Sequence, residues 1–182
     1  MKVKVKYTSE NAKELYLKAS NGKTPFPFKT FNGDFCYDVV ATSCEQVAPN
    51  VYKYGIGLAF QIERDWETII ENVIGEDGNS ITNKTELDLS KTPLKLSLDF
   101  RPRSSVWKTG MVLSNCEGTV DEPYNGEVYA VFYHLFTDMK PYSVGDRIGQ
   151  MKVGITFPID FTEVEELNTT DRNSGGFGST GK

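Results

Sequence analysis

The apolar residues of this chain recur at every second position or in short runs, and turn residues interrupt them before most runs can grow into a helix. From Met1 to Tyr7, Val3, Val5 and Tyr7 alternate with Lys2, Lys4 and Lys6, the period of a half-buried strand at a sheet edge. Further strands are expected over Asp38–Thr42, Tyr54–Ile62, Leu94–Phe100, Gly110–Leu113, Gly126–Leu135 and Arg147–Thr156. Many short strands with almost no helix lead to an all-β sandwich, jelly roll or closed barrel. At 182 residues with 12% aromatic content, one core is expected and disorder throughout is excluded.

One segment has a different period. Trp66, Ile69, Ile70, Val73 and Ile74 fall at i, i+3, i+4, i+7 and i+8, so a short amphipathic helix is predicted over Asp65–Ile74, capped by Asp65 and stopped by Gly75. A polar stretch, Glu76–Thr92, follows it. Residues 64–94 therefore read as an insertion between two strands, either a surface extension or a contact surface for another protein or a neighbouring subunit. The C-terminus changes composition again, with Gly175, Gly176, Gly178 and Gly181 among the last eight residues. Such a segment cannot offset its own ordering entropy and is expected to stay flexible until something binds it. The expected organisation is one domain over 1–170 and a glycine-rich C-terminal lid over 171–182.

Charge and composition narrow the functions. A net charge of −5 and a pI near 5.0 exclude a broad nucleic-acid or anionic-membrane surface, although a local anion site is compatible with them. One histidine, His134, and cysteines at 36, 44 and 116 without a C-x-x-C pair argue against structural zinc. With no charged-then-apolar leader and no apolar run of spanning length, a soluble cytoplasmic protein with reduced thiols is expected.

Several short stretches could carry chemistry. In the tail, side-chain-free backbone N–H groups, Ser179 and Thr180 hydroxyls, Arg172 and Lys182 suit phosphate oxygens, and Phe177 could stack on a base. It is not a Walker loop, because the Gly-Lys-Ser/Thr order is missing. The stretch from Arg101 to Gly110, R-P-R-S-S-V-W-K-T-G, sets Arg103, Ser104 and Ser105 just after a strand, where guanidinium forks and hydroxyls suit a polyphosphate or simply a solvated strand end. Asn115–Glu127, N-C-E-G-T-V-D-E-P-Y-N-G-E, reads as a hairpin whose turn carries Asn115, Asp121 and Tyr124. Asp121 could act there as a base on water or serve as an ordinary turn residue. In G-D-R-I-G-Q, Gly145–Gln150, Arg147 reads as a surface ion pair with Asp146, and Asp38 after Tyr37 reads as a turn aspartate.

Together the five stretches, in this order and spacing, resemble the motifs of the trimeric dUTPases: CYDVVA around Asp38, PRSSVWKTG from Pro102, NCEGTVDEPYNGE from Asn115, GDRIGQ from Gly145 and RNSGGFGSTG from Arg172. The resemblance implies a jelly-roll subunit, a homotrimer with sites at subunit interfaces, and Mg²⁺-dependent hydrolysis of dUTP to dUMP and pyrophosphate. That activity limits uracil incorporation into DNA and supplies dUMP for thymidylate synthesis. By the same resemblance Asp121 activates the water that attacks the α-phosphorus. Asn115, with the Gly118 and Val120 backbone, reads uracil, while Tyr124 packs under the deoxyribose and excludes a 2′-hydroxyl by clash. Arg103, Ser104, Ser105 and Gln150 contact phosphates, and Asp38 reaches the metal through water. Arg172 contacts the terminal phosphate, and Phe177, Gly178, Ser179 and Thr180 close over the bound nucleotide.

The chain departs from the family pattern at Phe35 and Cys36, where Ala-Gly is usual, at Pro123 in place of a second aspartate, and at Gly149, where alanine is common. Two other functions remain to be separated from hydrolysis. A dCTP deaminase of the same fold would need a glutamate downstream of the third motif, for which Glu127 is the candidate. A regulatory module would bind nucleotide as a switch for a protein partner with little turnover.

Overall fold

The computed structural model describes residues 2–64, 69–74, 80–85, 93–171 and 173–174. In chain order its elements are β1 (Lys2–Tyr7), α1 (Ala12–Ala19), β2 (Tyr37–Val40), β3 (Ser43–Ala48), β4 (Val51–Gly55), β5 (Leu58–Glu63) and β6 (Ile69–Ile74). They continue with β7 (Ser80–Thr85), β8 (Lys95–Pro102), a 3-10 turn (Ser104–Thr109), β9 (Met111–Leu113), β10 (Gly118–Asp121), β11 (Tyr129–His134) and β12 (Arg147–Thr156). Two four-stranded antiparallel sheets dominate, ordered β10-β8-β12-β2 and β3-β4-β11-β9, with β1 paired to β5 and β6 to β7. The all-β jelly-roll expectation holds.

The core forms where the two large sheets face each other. Phe100 of β8 meets Phe132 of β11 edge-on at 6.4 Å between ring centroids, and Tyr54 and Tyr142 pack edge-on around Phe132 at 5.8 and 5.7 Å. Truncating a buried aromatic of this kind typically costs about 3–5 kcal/mol. The Tyr54 hydroxyl donates to the Tyr142 carbonyl at 2.9 Å, satisfying the polar end of a fully buried ring.

Several elements differ from the expectations; β3 and β7 fall where no strand is expected. The predicted strand Tyr54–Ile62 is two strands, because Gly57 breaks it at φ +68 and sends β4 and β5 to different sheets. A Cβ at Gly57 would lie 2.8 Å from Ala12 Cβ and Ser9 Oγ, so glycine meets both the conformation and the space there. The helix α1 falls in a stretch without an expected element. Its Ala12 and Tyr16 are fully buried, and the Tyr16 hydroxyl donates to Ile56 O and accepts from Val40 N–H, each at 3.3 Å. Burial raises the Tyr16 phenol well above its ordinary pKa, so it stays a neutral plug between helix and sheet.

The predicted helix over Asp65–Ile74 is corrected. Ile69–Ile74 is strand β6, paired residue for residue with β7 from Ile69↔Thr85 to Ile74↔Ser80. Four of its six residues, Ile69, Ile70, Val73 and Ile74, are β-branched, which lowers helix propensity and suits a pleated ribbon. The helical spacing was real, but side-chain branching decides between the two periods. Asp65, Trp66 and Gly75, the proposed cap, packing residue and stop, lie outside the described residues. Residues Asn115–Glu127 are also not a simple hairpin between neighbours. β9 and β11 pair with each other in one sheet, while β10 between them crosses to the other sheet and pairs with β8.

Candidate active site

The first, second and fourth motifs meet at one corner of the β10-β8-β12-β2 sheet. Register aligns Gln150 on β12 with Asp38 on β2 and with Arg101 on β8. Two positions past Arg101, Arg103 leaves the strand in extended conformation, φ −72 and ψ 155, and the 3-10 turn with Ser104 and Ser105 follows directly. Thr30, Phe35, Asp38, Arg103, Arg147 and Gln150 line an open groove of about 530 Å³.

Asp38 is the hub of this groove. It is only 7% exposed, and its Oδ1 receives Arg103 Nε at 3.0 Å while its Oδ2 receives Arg147 Nη1 at 3.1 Å. Arg147 Nη1 also donates to Thr30 Oγ1 at 3.1 Å. Removing one partner of a buried ion pair costs about 3–5 kcal/mol, so Asp38 and its two arginines form one structural unit. Asp38 is therefore not the turn aspartate its position suggested, and Arg147 is not paired with Asp146. Asp146 Oδ2 instead accepts the Ser143 N–H at 2.7 Å within its own turn. Arg147 is the residue that the sequence reading passed over. The signal was an aspartate bounded by apolar residues, which must find cations from elsewhere in the fold.

Asp121 and the Tyr124 turn lie at the diagonally opposite corner of the same sheet, while Asn115 precedes β10 at its Arg101 end. β8 and β12 stand between β10 and β2, about 14 Å across the sheet at the usual strand spacing. Asp121 is level with Ser97 of β8, four positions before the Arg101 that is level with Asp38, about another 13 Å along the strand. Within one chain the two carboxylates are thus about 20 Å apart, beyond the reach of one triphosphate phosphorus.

Each residue of the third motif is held locally. Asp121 ends β10 and is exposed, while its neighbour Val120 packs on the core. The Tyr124 N–H donates to Asp121 O at 2.9 Å, closing a tight turn through Pro123, and the Tyr124 hydroxyl donates to Glu127 O at 2.9 Å. Gly126 lies under the Tyr124 ring, where a Cβ would come 2.5 Å from the hydroxyl oxygen, so the half-exposed ring is fixed against its own turn. Asn115 Nδ2 donates to Glu117 O at 3.0 Å, and Gly118 sits opposite Phe100. Both oxygens of Glu127 serve the scaffold: Oε1 accepts the Gly57 N–H at 3.0 Å and Oε2 the Tyr129 hydroxyl at 3.1 Å. Glu127, the glutamate that the dCTP-deaminase reading would use, is thus hydrogen-bonded within the scaffold.

The departure at Gly149 has a packing reason. A Cβ there would lie 2.2 Å from Phe100 Cζ and 2.9 Å from Arg101 O. Phe100 fills the volume that a methyl would take. Arg172, Phe177, Gly178, Ser179 and Thr180 lie outside the described residues. Among the described residues, no helix is long and apolar enough to cross a membrane.

The class that the fold defines is a jelly-roll subunit with an arginine-flanked carboxylate at one corner of a sheet and an exposed aspartate turn at the other. The dUTPase family model matches residues 72–181, through the glycine-rich C-terminus, and the chain belongs to the dUTPase family. It is 38% identical over 126 residues to the deoxyuridine 5′-triphosphate nucleotidohydrolase of Finegoldia magna, covering 60% of this chain and 88% of that protein. In structure it is similar to a Staphylococcus bacteriophage 80alpha dUTPase solved with dUpNHpp, at a TM-score of 0.66 and 17% identity over 100% of this chain and 99% of that one. A dUTPase from phage phi11 of S. aureus, solved with a structural Mg(II) ion, gives 0.57 at 15% identity over 93% and 100%.

Proposed function

We infer that this chain hydrolyses dUTP to dUMP and pyrophosphate, in a site that copies of the chain assemble between them. The observation that carries the assembly is the separation of Asp121 from the Asp38–Arg103–Arg147 cluster by about 20 Å on one sheet. Both sets are needed at one triphosphate, so a neighbouring copy supplies the second. A homotrimer is the assembly we propose, with each site drawing Asp121 from one copy and Arg103 from the next.

In such a site Asp121 accepts a proton from the water that attacks the α-phosphorus, the leaving group being pyrophosphate. Arg103, Arg172, Gln150 and the Ser104 and Ser105 hydroxyls neutralise and align the phosphate oxygens, which is most of what phosphoryl chemistry asks of a protein. Asn115 and the backbone of Gly118 and Val120 read the uracil edge. Tyr124, held against Gly126, leaves no room for a 2′-hydroxyl. Phe177, Gly178, Ser179 and Thr180 cover the nucleotide and exclude bulk water.

The donor set fits Mg²⁺ held mostly by the substrate. Among the described residues no group of three or more His, Cys, Asp or Glu side chains is placed to hold a metal alone. Asp38 has arginine on both oxygens, which leaves it lone-pair capacity for a water but not for a chelate. Mg²⁺ on the triphosphate would supply charge neutralisation, with Asp38 reaching its water shell.

Pyrophosphate release measured with dUTP, UTP, dTTP and dCTP in Mg²⁺ tests the reading. Turnover of dUTP at least about a hundredfold faster than the others is expected, since a site built on shape and base-edge hydrogen bonds rejects analogues on that scale. Equal rates with UTP would refute the role of Tyr124, and ammonia release from dCTP would replace hydrolysis with deamination.

A further inference from the structure

Glu122, the residue after Asp121, is tied to both ends of the insertion. Its Oε1 receives Arg64 Nε at 2.5 Å and its Oε2 receives Arg64 Nη2, also at 2.5 Å, the parallel fork that fits a carboxylate best. Oε2 also accepts the Leu96 N–H at 3.3 Å, and Arg64 Nη2 donates to Leu94 O at 2.9 Å. Arg64 is the first residue after β5, and Leu94 is the last before β8. The two side chains are only 22% and 20% exposed, so solvent screens the pair weakly. The arginine hydrogen bonds hold the Glu122 carboxyl below its ordinary range despite partial burial, so the pair stays ionised at neutral pH.

Sequence geometry turns this pair toward Asp121. Asp121 is the last residue of β10 and Glu122 the first of the turn that follows, so the fork on Arg64 fixes the residue bonded directly to Asp121. Pro123 follows Glu122 and restricts its backbone to extended conformations, leaving few ways for the segment to shift without breaking the fork. The Tyr124 N–H to Asp121 O bond fixes the far side of the turn. We infer that Arg64 and Glu122 form a positioning clamp that sets the direction of the Asp121 carboxylate and makes the base of the insertion part of the hydrolytic site. The inference rests on reading Asp121 as the group that activates water.

The test is steady-state kinetics on Glu122→Ala, Arg64→Ala, the double variant and Asp121→Asn, each checked for thermal midpoint and assembly. Because a displacement of about 1 Å at a reacting group can cost a hundredfold, Glu122→Ala should lower kcat on the order of 10- to 100-fold while KM stays within about twofold. The double variant should be no slower than either single one, since both break the same fork. A wild-type kcat in Glu122→Ala while Asp121→Asn is inactive overturns the clamp alone. Full activity in Asp121→Asn overturns the reading beneath it, and the clamp with it. If Glu122→Ala does not fold, Glu122→Gln decides: it keeps an acceptor for Leu96 N–H but loses the charged fork, so a several-fold drop in kcat at unchanged KM supports the clamp and a wild-type kcat removes it.

Discussion

Asp121→Asn is expected to bind dUTP with an affinity within a few-fold of the wild type and to lose at least about a thousandfold in kcat, since removing a general base alone typically costs 10²–10⁴ and misplacing its water costs more. The amide keeps the size of the side chain and its place at the end of β10, where the ladder to Ser97 and the Tyr124 turn hold the backbone. In the proposed site the phosphate contacts lie on other residues, so KM should barely move. Single-turnover rates with dUTP, together with equilibrium binding of a non-hydrolysable analogue, separate the two quantities. A thousandfold loss of affinity with unchanged turnover would make Asp121 a binding group instead.

Removing residues 172–182 is the second large effect. The truncated chain should fold and assemble, because a segment this rich in glycine has little apolar surface to bury and Phe177 is its one large apolar residue. Its kcat/KM for dUTP should fall about 10²–10³-fold, the scale of losing one arginine from a triphosphate together with the groups that exclude water. The family match, which continues to residue 181, supports placing function there. A truncated enzyme with full activity would show that the glycine-rich end is dispensable.

Much of the architecture was legible because strand chemistry is local. Lys2–Tyr7 alternates, β12 has the bounds Arg147–Thr156 that the apolar pattern predicts, and β8, β9 and β11 fall within a few residues of theirs. The failures have equally physical causes. In Ile69–Ile74 two periods fit the same apolar residues, and only β-branching separates them. The helix Ala12–Ala19 is short, and its burial comes from a tertiary contact, Tyr16 against Ile56 and Val40, that no local pattern announces. Motif order pointed to Asp38, Arg103 and Gln150, which do come together. Nothing local could say that Asp38 would recruit Arg147 across 109 residues, or that Glu122 would reach Arg64 across 58. Long-range partner choice is set by the fold, and these two ion pairs are where the site gains detail beyond its motifs.

Strand register also explains why one chain's charge says little about its ligand. A net charge of −5 belongs to a subunit whose Asp38–Arg103–Arg147 cluster and whose Asp121 occupy opposite corners. In the proposed trimer they meet when a second copy brings its own corner, and the relevant electrostatics there belong to the assembly.

Subunit complementation tests that claim most directly. Asp121→Asn chains keep Arg103, and Arg103→Ala chains keep Asp121; each variant alone should be nearly inactive. Unfolded together in equal amounts and reassembled, they should recover about one quarter of wild-type activity, because three-quarters of randomly mixed cyclic trimers contain both chains and each of these has one intact site in three. Recovery to that level is the predicted result. Mixed assemblies no more active than their parents would contradict the account, since they would require Asp121 and Arg103 to serve one site within a single chain.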